Sequence, residues 1–245
     1  MTPIDFQTII PIYDAILSRG LCAGVGQRDG QMCIEAAICA ALGLPHGDNP
    51  ECVAPAIRAY KITLNDAPWS TPEARASGLH DIGLAQIGSR GVVDDMEFSN
   101  RLAEKTIREL IPKLFREMLA DYPACLAAAD RCESEGTATA ARAAAEAAEA
   151  AARAARATAE IAACATEATA WAADAVVWAA SCAARAAEAA EAAIWYTGTA
   201  WAARAAAEAE AAEVARAAGD AYLLLSAKLA LEVLRELKSP GCEWI

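Results

Sequence analysis

TATAARAAAEAAEAAARAARATAEIAACATEATAWAADAVVWAASCAARAAEAAEAAIWYTGTAWAARAAAEAEAAEVARAA, residues 137–218, holds 45 alanines in 82 positions, with no proline and a single glycine, Gly198. Alanine is the strongest helix former because it loses no side-chain entropy on folding. Helix is therefore predicted across the whole stretch. The break at Tyr196-Thr-Gly-Thr199 divides it into two arms, Ala138 to Tyr196 and Thr199 to Ala218, with Gly219-Asp220 as a second joint before a helix over Ala221 to Lys238. Unbroken, the first arm would run on the order of 90 Å at 1.5 Å per residue.

Along that arm the bulky or polar residues fall once per turn: Arg142, Glu146, Glu149, Arg153, Arg156, Glu160, Cys164, Glu167, Trp171, Asp174, Trp178, Ser181, Arg185, Glu188, Glu191 and Trp195. The mean spacing, about 3.5 residues, is slightly short of a straight helix and signals left-handed supercoiling. Most of the remaining surface is methyl groups, which let neighbouring helices approach closely and recover dispersion contacts. The expected architecture is a helical hairpin turning at Gly198, with Thr199 to Lys238 folded back along the first arm and the pair prone to associate with a second copy. Trp171, Trp178 and Trp195 are the candidate interaction surface, since indoles left in water on this line would waste apolar area. Docking onto the rest of the chain is the structural use of Trp171 and Trp178; a partner surface is the functional one.

Residues 1–136 carry shorter helical signals. Thr2-Pro3 reads as a cap and first helical position for a segment reaching Gly20, bent at Pro11; Gln31 to Leu42 reads as a buried helix stopped by Gly43; Asn49-Pro50 opens a third through Val53, Ile57 and Tyr60. Ser70-Thr-Pro-Glu73 resembles a capping box, and Asp94 or Asp95 starts a longer helix through Leu102, Ile107 and Leu110, bent at Pro112 and ending before Pro123. No segment alternates apolar and polar residues for long; the best such run, Tyr60 to Leu64, is five residues. The fold class expected is all-α: a compact head of short helices over 1–136 and an alanine-rich helical hairpin with a C-terminal helix over 137–245.

Charge and cysteine content exclude several functions. There are 21 basic and 33 acidic residues, a net of −12, shared by the two parts, and this repels phosphate backbones and acidic lipid alike. No nucleic acid and no membrane are expected as partners. Nine cysteines without a CxxC pair, behind an N-terminus MTPIDF that lacks a basic signal-peptide start, point to a reducing cytosol.

The densest polar cluster is the loop Gly24-Val-Gly26-Gln27-Arg28-Asp29-Gly30-Gln31-Met32-Cys33-Ile34-Glu35, running into a predicted helix N-terminus, a place where free amides attract anions. With His46 and Asp48 of the following loop LPHGDNP, it supplies the candidate ligand-binding set: Gln27, Arg28, Asp29, Gln31, Cys33, Glu35, His46 and Asp48. The glycine spacing matches neither a dinucleotide fingerprint nor a P-loop. QRDGQMC, residues 27–33, resembles the Gln-x5-Cys start of papain-like cysteine peptidases, which implies Cys33 as nucleophile, Gln27 as oxyanion donor and His80 or His46 as base. It departs from them at Met32 and Ile34, where a glycine-rich neighbourhood is expected. Cys22, Cys33, Cys39, His46 and Cys52 are spaced by 11, 6, 7 and 6, which fits no compact zinc knuckle, so no metal or cofactor is predicted and core thiols are the simpler reading.

GQRDGQMCIEAAICAALGLPHGDNPECVAPAIRAYKITLNDAPWS (26–70), then LAQIGSRG (84–91), then the alanine/tryptophan-rich stretch closing in LRELKSPGCEWI (234–245), together resemble uncharacterised proteins encoded by tailed phages and some environmental bacteria. The resemblance implies a context, the cytosol of a bacterial host, and brings no activity to any residue. The favoured reading is a binding or scaffolding protein engaging a host factor or a small anionic ligand such as a nucleotide. An enzyme with Cys33 as nucleophile is the second class and a virion or assembly component the third.

Overall fold

A computed structural model describes residues 5–161 and 220–245, whose regular structure is helical, with two isolated bridges, Leu21 to Met32 and Gly26 to Met32, and no strand among the described residues. The chain is all-α. Trp171, Trp178, Trp195, the turn at Gly198 and the Thr2-Pro3 start lie outside the described residues.

Helix α1, Phe6–Leu17, is capped by Asp5, whose carboxylate accepts from Gln7 N–H at 3.1 Å and Thr8 Oγ1–H at 2.7 Å. It buries Phe6, Ile9, Tyr13, Ile16 and Leu17 and carries Pro11 on its exposed side. Helix α2, Ile34–Ala41, is three residues shorter at its start than the sequence pattern suggests: Cys33 is its cap, and Gln31 and Met32 belong to the preceding loop. Helix α3, Pro55–Asp66, begins five residues after the expected Asn49-Pro50 signal. Proline at N1 is the same device in both places, but Pro50 heads a turn closed by Val53 N–H on Pro50 O, whereas Pro55 holds Ala54 extended and opens the helix.

Helix α4, Pro72–Ala85, is capped by Thr71, whose hydroxyl accepts from Ala74 N–H at 3.0 Å; the cap is one residue later than the Ser70 box predicts, because Ser70 is engaged elsewhere. Asp94 caps α5, Asp95–Lys105, at 2.8 Å from Glu97 N–H. The helix widens into a π turn at Thr106–Leu110 and continues as α6, Ile111–Met118. Pro112 explains the widening: it has no N–H to give Arg108 O, and its ring would crowd that carbonyl in an α-helix.

Helix α7, Pro123–Glu135, ends at Gly136 (φ +64), and Thr137 caps α8, Ala138–Ile161. Arg108 closes the α7 C-terminus, donating to the carbonyls of Glu133, Ser134 and Glu135 at 2.8–2.9 Å. The two-residue link sets α7 and α8 side by side, and Ala140, Ala141, Ala144, Ala145, Ala148 and Ala151 are buried there. Alanine packing is thus observed, within a core that continues across the Gly136 turn rather than stopping at it.

Helix α9, Asp220–Glu236, packs on α4, α5 and the π turn. The expected hairpin of Thr199 to Lys238 along the first arm falls largely outside the described residues; within α9 the chain buries Leu223, Leu229, Ala230, Val233 and Leu234 in the shared core. Its ends are fastened by polar links: Ser70 N–H and Oγ on Asp220, Tyr60 to Ser226, Tyr222 to Glu117, and Lys105 to Glu232 at 2.9 Å. The chain then turns through Lys238 (φ +56) into a 3₁₀ turn, Pro240–Trp244, whose Trp244 stacks on Phe6 at 4.9 Å.

Candidate functional site

The polar loop between α1 and α2 folds back on itself. Cys22 N–H donates to Met32 O, Gln27 N–H to Gln31 O, Gly30 N–H to Gln27 O and Cys33 N–H to Val25 O. Gly26 lies at φ +71, and a Cβ there would sit 2.3 Å from Gln31 O and 2.6 Å from Cys22 Sγ, so only glycine fits the fold-back. Gln27, Arg28 and Asp29 are exposed at its tip, while the Gln31 side-chain amide donates to Arg19 O at 3.0 Å and ties the loop to the end of α1.

The α2 N-terminus, the expected anion site, has its amides engaged. Ile34 N–H donates to Asn65 Oδ1 at 3.2 Å, Ala36 N–H to Cys33 Sγ at 3.3 Å, and Ala37 N–H to Cys33 O at 3.0 Å. Gly24 N–H, in the same loop, is taken by Asp66 Oδ1 at 2.7 Å. Cys33 itself is 4% exposed, and burial, the dominant influence, pushes its thiol up to about 11, against the smaller opposing effect of the Ala36 amide. A thiol held protonated and out of water is no nucleophile at neutral pH. Of the two bases proposed for it, His80 has both ring nitrogens beside carboxylates, Asp14 at 3.0 Å and Asp81 at 2.8 Å, and His46 places Nε2 against Gly26 O at 3.3 Å, stapling the LPHGDNP loop to the glycine loop. Asp48 accepts from Arg58 at 3.0 Å and serves the same loop.

Glu35 is the candidate whose position most exceeds its sequence signal. It is fully buried, accepts from Gln86 Nε2 at both carboxylate oxygens (3.1 and 3.0 Å) and lies 3.6 Å from Lys61 Nζ, which is fully buried too. Desolvation is the largest influence on each, raising Glu35 and lowering Lys61, while their mutual attraction and the Gln86 amide oppose it. The trio joins α2, α3 and the end of α4. Lys61 falls on the apolar line Ile57, Tyr60, Leu64 of α3, the one sequence signal that a charge would be interior; Gln86, between Ala85 and Ile87, has none beyond its apolar neighbours.

The eight candidate residues therefore divide. The structure gathers Cys33 and Glu35 into the interior, uses Gln31, His46 and Asp48 to hold loops, and leaves Gln27, Arg28 and Asp29 in solvent. Among the described residues no three of His, Cys, Asp and Glu come together as a metal-binding group, and no helix is long and apolar enough to cross a membrane. Comparison of the chain with protein-family models, with curated proteins and with solved structures gives no match.

Proposed function

We propose that the protein is a helical binding or scaffolding protein that works through α8 and the alanine-rich segment following it, with the rest of the fold as a rigid mount. One observation carries this reading: α8 outruns its partner. Helix α7 has 13 residues and α8 has 24, about 20 and 36 Å, and the described alanines of α8 that are buried run from Ala140 to Ala151. The helix goes on to Ile161 with Arg153 and Ala154 exposed. In the mount, by contrast, Cys33 is buried and the amides at the α2 N-terminus are engaged, which favours a protein partner over a small anion there or a covalent mechanism at Cys33.

If the likeness to phage-encoded proteins holds, the partner is a host or virion protein met in the bacterial cytosol. A photo-crosslinking residue placed at Ala154, with Asp29 as the comparison site, tests the reading in host cells. A discrete protein adduct from position 154 and none from position 29 is expected. Equal labelling at both sites, or none at either, would overturn the proposal, and the identity of the adduct separates a host factor from a virion component.

A further inference from the structure

His80 and Asp81 lie on α4 and Asp14 on α1, and one imidazole spans the two helices: Nδ1 is 2.8 Å from Asp81 Oδ1 and Nε2 is 3.0 Å from Asp14 Oδ1. Both partners are carboxylates, which only accept. A neutral imidazole carries one N–H and one lone pair, so it satisfies one of them and turns its lone pair toward the other. Only the imidazolium donates to both. Partial burial, the largest single influence on the ring, favours the neutral form, but the hydrogen bonds and charges of Asp81 and Asp14 together outweigh it and hold His80 above its usual range.

Around this bridge α1 is seated closely. Tyr13 donates from its hydroxyl to His80 O at 3.0 Å, its ring lies 5.6 Å from the imidazole, and Gly83 leaves no room for a Cβ against that hydroxyl. Burial above all, then Glu35 of α2, Asp14 and Asp81, keeps the Tyr13 hydroxyl protonated, so it does not titrate alongside the ring. The other neighbours of α4 meet it at different positions, α9 at Gly78 through Leu224 and the 3₁₀ turn at Leu84 and Ala85 through Gly241. We propose that Asp14, His80 and Asp81 form a proton-operated clasp, which seats α1 on α4 while the ring is charged and slackens it when the ring is neutral.

The folded chain binds this proton more tightly than the unfolded one. The clasp is therefore complete below about pH 6.5 and weakens as pH rises through the folded value. The helix it holds buries Phe6, Ile9, Tyr13, Ile16 and Leu17 and packs on α2, which carries Glu35. Alkaline solution thus loosens the cover over α2, whereas α7, packed between α6 and α8, is remote from the change. With the imidazole 37% exposed, solvent screens the bridge and limits the response to a few-fold.

Hydrogen exchange of the full chain from about pH 6 to about pH 9, corrected for the intrinsic rate at each pH, should show protection of α1 falling by about two- to fivefold, with α7 unchanged. Asp14→Asn discriminates, because a carboxamide accepts from the imidazolium and donates to the neutral ring, so the bridge persists in both states. Its α1 protection should be nearly flat with pH. The chain has two histidines, so ring-nitrogen NMR, with His46→Gln for assignment, reads His80 alone in the otherwise unaltered protein. Both ring nitrogens should be protonated near pH 6, with titration above the ordinary value of about 6.5. A ring with one N–H near pH 6, titration at or below that value, or α1 protection indifferent to pH overturns the clasp. So does an equal fall in α7, or an undiminished pH dependence in Asp14→Asn; should that variant fail to fold, the NMR titration still decides.

Discussion

Replacing Lys61 by methionine should be the most damaging conservative change in the interior. The substitution keeps the length and apolar character of the side chain but leaves the Glu35 carboxylate fully buried with only the Gln86 amide for company. Removing one partner of a buried ion pair typically costs about 3–5 kcal/mol, because the survivor keeps its desolvation penalty. The double replacement Glu35→Leu with Lys61→Met should restore much of the loss, since burying neither charge removes the penalty from both sides. Hydrogen exchange of α2 and α3 peptides is a suitable assay, because it reads the opening free energy of this region without requiring the alanine-rich segment to unfold with it.

The sign of the pH effect follows from Glu35. In the Lys61→Met protein its folded-state pKa is raised further, so the stabilising, protonated form is present at low pH and is lost as pH rises through the folded value. The penalty should therefore be smaller near pH 5 than near pH 7. A Lys61→Met protein within about 1 kcal/mol of the parent at pH 7, the size expected of an exposed pair, would refute the claim that this ion pair is an interior one.

Iodoacetamide at neutral pH should modify the half-buried Cys22 and Cys242 well before Cys33, and peptide mass spectrometry showing Cys33 as the fastest site would revive a nucleophile there. Thr71→Ala should cost about 1 kcal/mol through loss of the α4 cap, whereas Ser70→Ala should chiefly speed exchange at the start of α9, where its Asp220 link is lost; the reverse pattern would place the cap at Ser70. Gly136→Ala should cost roughly 1–2 kcal/mol for the left-handed backbone alone. Its Cβ would also meet Arg108 Nε at 2.4 Å, so a double-mutant cycle with Arg108→Ala should show coupling, and simple additivity would count against the guanidinium cap. Because Asp81 and Asp14 outweigh desolvation and raise His80, its contribution to holding α1 on α4 should be complete below about pH 6.5 and fade as pH rises through the folded value. The ring is 37% exposed, so the effect should stay below about 1 kcal/mol, and α1 exchange that shows the same pH dependence in His80→Gln would dismiss it.

What the sequence determined by itself was local. Alanine from 137 onward, Pro72 in the first turn of α4 and the Asp94 cap each act within one turn, so all-α and several helix bounds were legible. Ambiguity began where two such signals competed: Asn49-Pro50 and Pro55 are equivalent locally, and only packing chose the second. Cys33 shows the same limit, since a cysteine at a helix start reads as activated by the dipole until the surrounding apolar residues are known to exclude water.

Tertiary structure alone decided the rest. Nothing near Lys61 in sequence announces that Glu35 and Gln86 will meet it, or that α9, beyond the alanine-rich segment, will pack on α4, α5 and the π turn. Both outcomes depend on which apolar faces find each other across long separations, and desolvation is a property of that assembled interior rather than of any residue's neighbours in the chain.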